Sequence, residues 1–318
     1  MISRPKSEWQ DASDSSTPNV TGAAIVANRL RLGLALCVVM PLLWQPARAQ
    51  GTCALDLWAD ELIAVWSGRG VLANAACYAN LITSMDTGRA MRDQVISRFD
   101  RMFPRAGYKV VGLDPINARL PGLDRPMVGV MYVSMFLPDG ATIPLSSAAS
   151  LMTEPDLLFS VKDEGINAAT TLDAVLRHVD RVYGFIEVVA PTFENKPPNS
   201  FMMQASNLLP RWGVIGESIE ARADQAFLRS LETMRVTFRD GRGRLLADQR
   251  GAYLGGNPLH SVLVVISELR RRSERLHAGD LISAGSFMPP MSVESGMFTE
   301  AVYEGLTESS LRVSARYQ

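Results

Sequence analysis

Two carboxylates stand two residues apart in the run Met152-Thr153-Glu154-Pro155-Asp156-Leu157-Leu158-Phe159-Ser160-Val161. A loop holding Ser146, Ser147 and Ser150 leads into them, and an apolar, strand-like stretch follows at once. Side chains of an extended chain alternate between faces, so Glu154 and Asp156 point the same way. Two like charges on one face repel, and they are costly to take out of water unless a cation or a donor compensates. A hard divalent ion such as Mg²⁺ is the simplest compensation, because it takes oxygen ligands and keeps several waters. A third acid, Glu187, sits in Gly184-Phe185-Ile186-Glu187-Val188-Val189, where a charge inside an apolar strand calls for a partner or a metal. The residues therefore lead to one expectation, a metal site formed by Glu154, Asp156 and Glu187. The competing reading is a solvated strand edge.

Other chemistries find less support. The net charge of −1 offers no basic surface for a nucleic-acid partner. His178, His260 and His277 are scattered without ligand spacing, which argues against zinc bound by Cys and His. The run Arg239-Asp240-Gly241-Arg242-Gly243-Arg244 is rich in glycine and arginine, but it reads as a solvated hairpin turn. No helix N-terminus follows it to receive a phosphate.

The elements that must position these acids follow from patterning. With 47% hydrophobic and 20% charged residues among 318, the chain can build one large core or two small ones. Residues 1–28 are polar and without period, and read as a disordered leader. Arg29-Leu30-Arg31, the apolar run from Leu32 to Leu43 and the end Ala47-Arg48-Ala49 are the three parts of a secretory signal peptide, with cleavage after Ala49. That run is shorter than the roughly 20 apolar residues that span a bilayer, so no stable membrane span is expected after cleavage. The expected address is periplasmic or secreted, or cytoplasmic if the leader is not a signal. Export leaves Cys53 and Cys77 as an even pair in a compartment that permits a disulfide.

Residues 54–103 pattern as helices, one of them capped at Asp86-Thr87 and carrying Met91, Val95, Ile96 and Phe99. From Gly107 the texture changes to short β-rich runs at 108–113, 128–136, 157–161, 183–189, 233–238 and 244–246, with Asp240-Gly241 as a hairpin turn. Helices are expected over 171–182 and from Asn257-Pro258 through Leu276, and a last strand in 306–317. The fold class is α+β with a large mixed sheet or barrel.

Five motifs in this order resemble the 2-keto-4-pentenoate hydratase branch of the fumarylacetoacetate hydrolase superfamily. They are Gly107-Tyr108-Lys109-Val110-Val111-Gly112-Leu113, Glu154-Pro155-Asp156-Leu157-Leu158-Phe159, Phe185-Ile186-Glu187, Asn207 with Gly213-Val214-Ile215-Gly216, and Ala278-Gly279-Asp280-Leu281-Ile282-Ser283-Ala284-Gly285-Ser286. The resemblance implies a distorted mixed β-roll or barrel over 105–318, with an N-terminal helical cap over 50–104. It implies Mg²⁺ or Mn²⁺ on Glu154, Asp156 and Glu187, with Asp156 one methylene shorter than the family's Glu. It also implies Lys109 as a catalytic residue, and Asn207, Gly285 and Ser286 as substrate contacts, although Lys109 could equally be a salt bridge and Asn207 and Ser286 could serve only loop backbone. The implied activity is hydration of a small 2-oxo or 2-hydroxydienoic acid by a homo-oligomer. Two acids of the family pattern are replaced, by Ala190 and Met127. Alternatives are a 2-oxo-acid decarboxylase, an acylpyruvate hydrolase, and an exported metal or oxo-acid binder without catalysis. The hydrolase would need a His-Glu pair near the N-terminal side, where no histidine occurs before His178.

Overall fold

The computed structural model describes residues 53–318, apart from 69, 73 and 194–198. The expected leader and signal, residues 1–49, lie outside the described residues. Three helices come first: α1 (Trp58–Trp66), α2 (Ala75–Leu81) and α3 (Met85–Phe99). The N-cap of α3 is Ser84, whose hydroxyl accepts the Thr87 N–H, so the helix starts ahead of the expected Asp86-Thr87 cap. Met91, Val95, Ile96 and Phe99 form its buried stripe, as their helical spacing requires. Cys53 and Cys77 are disulfide-bonded, with Cα atoms 6.2 Å apart, which ties the segment ahead of α1 to α2. Among the described residues no helix is long and apolar enough to cross a membrane.

The β-rich part runs β1 (Arg105–Val111), β2 (Met127–Tyr132), β3 (Phe136–Pro138), β4 (Thr142–Ile143) and β5 (Met152–Val161). Then come α4 (Leu172–Leu176), β6 (Val179–Val189), α5 (Ser200–Ala205), β7 (Pro210–Glu220) and α6 (Gln225–Thr233). The hairpin of β8 (Arg235–Asp240) and β9 (Leu245–Arg250) leads to α7 (His260–Arg271), and β10 (Leu281–Ser283), β11 (Met291–Ser292), β12 (Phe298–Glu304) and β13 (Leu311–Tyr317) complete the chain. Helix α4 does begin on the Thr171 cap, but it ends at Leu176. Val179 and Val182 belong to β6, because pairing with Val161 and Phe159 of β5 outweighs a helical spacing of apolar residues. Helix α7 stops at Arg271 rather than Leu276, and Ser273 turns left-handed (φ 55°) just beyond.

One sheet has the order β2-β1-β10-β5-β6-β7-β3, with β11 also on β5, and a second has the order β4-β13-β12-β8-β9. Parallel pairs (β1 with β10, β3 with β7, β4 with β13) mix with antiparallel ones. Strands β2 and β3 are opposite ends of the first sheet's order, yet only Val133–Met135 separate them in the chain. So short a link forces the sheet to curl until its ends meet, as in a barrel. The face turned inward carries Lys109, Asp156, Leu158, Phe185 and Glu187. The other face, with Val110, Val128, Leu157, Ile186 and Ile282, packs into the main core.

Helices α3 and α7 are locked together across this core. Arg92, 1% exposed, places Nη1 2.8 Å from Glu268 Oε1, and Arg271 reaches the other carboxylate oxygen at 2.5 Å. Burial pushes the Glu268 carboxyl up, but the Arg271 and Arg92 guanidiniums outweigh it and hold the group at about 2. A carboxyl depressed in the folded state stabilises fully above its ordinary value, and that contribution is lost as pH falls toward the folded value. Glu268→Gln leaves the buried Arg92 only the half-exposed Asp93 as a charge partner, and about 3 kcal/mol of stability should be lost at pH 7 by urea unfolding. The gap between wild type and variant should narrow as pH is lowered from 4.5 toward 2; a gap independent of pH counts against the ion pair.

Candidate active site

The register of β5 and β6 puts Glu154 directly opposite Glu187, and Asp156 opposite Phe185. Facing residues of an antiparallel pair share a side of the sheet, with Cβ atoms about 5 Å apart. All three acids therefore lie on the inner face, and all are buried: Asp156 is 0% exposed, Glu187 3% and Glu154 6%. They stand inside strands, not at a solvated entrance, because β5 begins at Met152. Behind them, the Tyr303 hydroxyl of β12 accepts the Phe185 N–H at 3.2 Å and lies against the carbonyls of Asp156 and Phe185. Gly184 makes room for that ring: a Cβ there would sit 3.0 Å from the Tyr303 ring.

Each carboxyl has its own surroundings. Asp156 accepts the Ser283 hydroxyl at 2.5 Å and the Gly285 N–H at 3.0 Å, as well as its neighbour's Leu157 N–H. Glu187 is paired with Lys109, whose ammonium also donates to the Leu208 carbonyl at 3.2 Å. Burial, reinforced by the Glu187 charge, pushes Asp156 up to about 7 against those three hydrogen bonds. Burial and the Glu187 charge push Glu154 well above the carboxylate range, further helped by Asp156 and opposed by Lys109 and the Ser286 hydroxyl. One buried lysine thus stands among three carboxyl groups that are almost wholly buried.

As these side chains stand, no group of three or more His, Cys, Asp or Glu among the described residues is gathered tightly enough to hold a metal ion. Asp156 is turned to Ser283 and Gly285, and Glu187 to Lys109. The donor set still suits a hard divalent ion in kind, being oxygen only, and in charge, since two carboxyls lack a counter-ion.

The expected substrate contacts divide. Gly285, left-handed at φ 116°, gives its N–H to Asp156. The Ser286 hydroxyl donates to the Met288 carbonyl at 2.5 Å and accepts the Met288 N–H at 3.1 Å, closing its own turn beside Glu154. Asn207 takes the backbone role that its sequence reading left open. Its amide donates to the Val130 carbonyl at 2.9 Å and accepts the Val130 N–H at 2.8 Å, so both ends of the amide bond one backbone residue. Asn207, Leu208 and Leu209 are all left-handed, with φ of 56°, 60° and 59°, and this turn aims the Leu208 carbonyl at Lys109. Gly129 admits the turn, since a Cβ there would lie 2.8 Å from the Asn207 carbonyl. Ala190 and Met127 are buried apolar residues. His178 binds Asp163 and His277 sits beside Asp280, so neither joins the acids. Sequence reasoning missed Ser283 as a partner of Asp156, although its motif was in view.

Comparison with known proteins finds relatives of this fold. No protein-family model matches the chain. It is 24% identical over 211 residues to a 4-oxalocrotonate decarboxylase of Pseudomonas putida, covering 65% of this chain and 78% of that one. It is 26% identical over 186 residues to a 2-keto-4-pentenoate hydratase of Paraburkholderia xenovorans, covering 58% and 67%. Among solved structures, the 4-oxalocrotonate decarboxylase from Pseudomonas putida G7 complexed with magnesium and adipate superposes with a TM-score of 0.72 at 20% identity, over 84% of this chain and 99% of that one. The α+β fold with its curled mixed sheet is thus the fold of that decarboxylase, and in sequence the chain is similar to curated 4-oxalocrotonate decarboxylases and 2-keto-4-pentenoate hydratases.

Proposed function

We propose that the protein is a divalent-metal-dependent hydro-lyase acting on a small 2-oxo acid or its 2-hydroxydienoic form. The observation that carries this reading is the facing of Glu154 and Glu187 across β5 and β6, with Asp156 beside them and Lys109 at Glu187. The relatives named for oxo-acid hydration and decarboxylation support it, as does the magnesium of the solved decarboxylase. Glu154, Asp156 and Glu187 would hold Mg²⁺ or Mn²⁺. When bound, such an ion supplies a Lewis acid for the 2-oxygen and carboxylate of the substrate. The Ser283 hydroxyl and the Gly285 N–H fix the orientation of Asp156. Lys109 balances the substrate carboxylate or carries the proton exchanged at carbon. The surrounding apolar residues keep bulk water from the reacting carbons.

A second reading, decarboxylation, draws on Ala190 and Met127. Addition of water needs a base for the water as well as a proton for carbon, whereas loss of CO₂ needs only the proton. Neither Ala190 nor Met127 supplies that extra group.

Adding Mg²⁺ or Mn²⁺ to the purified protein should raise its melting temperature, and Glu187→Gln should remove the rise. If wild type shows neither the rise nor calorimetric binding, the metal reading fails. With metal bound, 2-hydroxypenta-2,4-dienoate should lose its ultraviolet absorbance on hydration, and Lys109→Met should slow this by about 10²- to 10⁴-fold. Release of CO₂ from a 2-oxo acid would favour the decarboxylase instead. Metal binding with no turnover of either kind would leave a binder.

We further propose export, supported by the Cys53–Cys77 bond, since such bonds persist in oxidising compartments. Mass spectrometry of the mature chain should find Gln50 at its N-terminus; an intact leader on active protein would sink that proposal.

A further inference from the structure

Exposure along the inner face is graded. On β5, Leu158 and Asp156 are inaccessible, Glu154 is slightly exposed and Met152 is partly exposed. On β6 the order Phe185, Glu187, Val189 rises in the same direction. The acids are therefore approached from the end of Met152 and Val189. The other end is plugged by Met131, Leu158 and Phe185, with Phe136, Ile215 and Leu281 packed against them.

At the open end Val111 and Met127 are register partners, two residues beyond Lys109 and Gly129. Met127 joins Met85 and Leu208 in a small apolar cluster separate from the main core. Leu123, Phe201 and Met203 form its partly exposed outer side. The cluster touches the site directly, since the Leu208 carbonyl accepts from Lys109. None of these side chains carries a charge. Lys109 is already engaged by Glu187, and Arg211, at the same end of β7, is stacked between Trp66 and Trp212 and donates to the Ser147 carbonyl.

We propose that this methionine-rich cluster is the specificity wall of the site. Met127 and Met203 receive the apolar tail of a monocarboxylic 2-oxo acid and turn away a 2-oxo acid bearing a second, distal carboxylate. This rests on the oxo-acid reading above. Flexible, polarisable methionines adapt to alkyl chains of different shape. A distal carboxylate would lose its water against them, and the cluster's own side chains offer no cation in exchange.

The test is calorimetric titration of the purified protein, with Mg²⁺ present, using pyruvate, 2-oxobutanoate, 2-oxopentanoate and 2-oxohexanoate, then 2-oxoglutarate and 2-oxoadipate. Affinity should rise about fourfold per added methylene along the first series. 2-Oxoadipate should bind about tenfold or more weakly than 2-oxohexanoate. Met127→Lys should erase that preference. Met203→Lys, at a partly exposed position, should do the same and serves if the first variant fails to fold. Pyruvate binding with a flat series, or dicarboxylates as tight as monocarboxylates, overturns the wall alone. Failure of pyruvate itself to bind overturns the oxo-acid reading with it.

Discussion

Three carboxyl groups buried beside a single lysine form the constraint around which this protein is arranged. A lone carboxylate taken from water into an apolar interior is strongly disfavoured, and two facing each other across a strand pair are worse. The fold sustains the arrangement because each acid is fixed by something rigid. Asp156 is held by the Ser283 hydroxyl of β10 and the Gly285 N–H just beyond it, and Glu187 by Lys109 from β1. Glu154 has the least support, and burial with the Glu187 charge raises it well above the carboxylate range. Such a cluster contributes little to stability, so its persistence in the core points to chemistry.

The surrounding architecture serves that cluster at its own expense. The left-handed turn at Asn207, Leu208 and Leu209 holds three non-glycine residues in a region that disfavours side chains by on the order of 1 kcal/mol each. It is kept in place by the double hydrogen bond from Asn207 to Val130, and its product is a carbonyl at Lys109. Tyr303 plays a parallel role from the second sheet, where its hydroxyl meets the backbone of both acid-bearing strands.

What could be read from the residues alone was what local spacing determines. Glu154 and Asp156 share a face because strands alternate, and that holds wherever the strand lies. Their opposition to Glu187 depends on register, which the intervening segment sets, and there the expected helix ran on into what is β6. Ser283 reaches Asp156 only because β10 inserts between β1 and β5, a placement without local signature. The Asn207 turn has no glycine to announce it, so its left-handed course is imposed by packing against Gly129. The end of α7 was misplaced for a similar reason, since Leu276 is apolar and buried but lies beyond the helix.

The insertion of β10 has a consequence for how the molecule comes into being. The strand that joins β1 to β5 in the first sheet is supplied by residues 281–283, and the prop behind the acids by residue 303. A ribosome must therefore deliver nearly the whole polypeptide before the inner face can close. Until then β1 and β5 lack the strand that joins them, and Lys109 has no fixed place beside the acids. A chain built on this plan matures late, so one that crosses a membrane unfolded would assemble its reactive centre only after arrival.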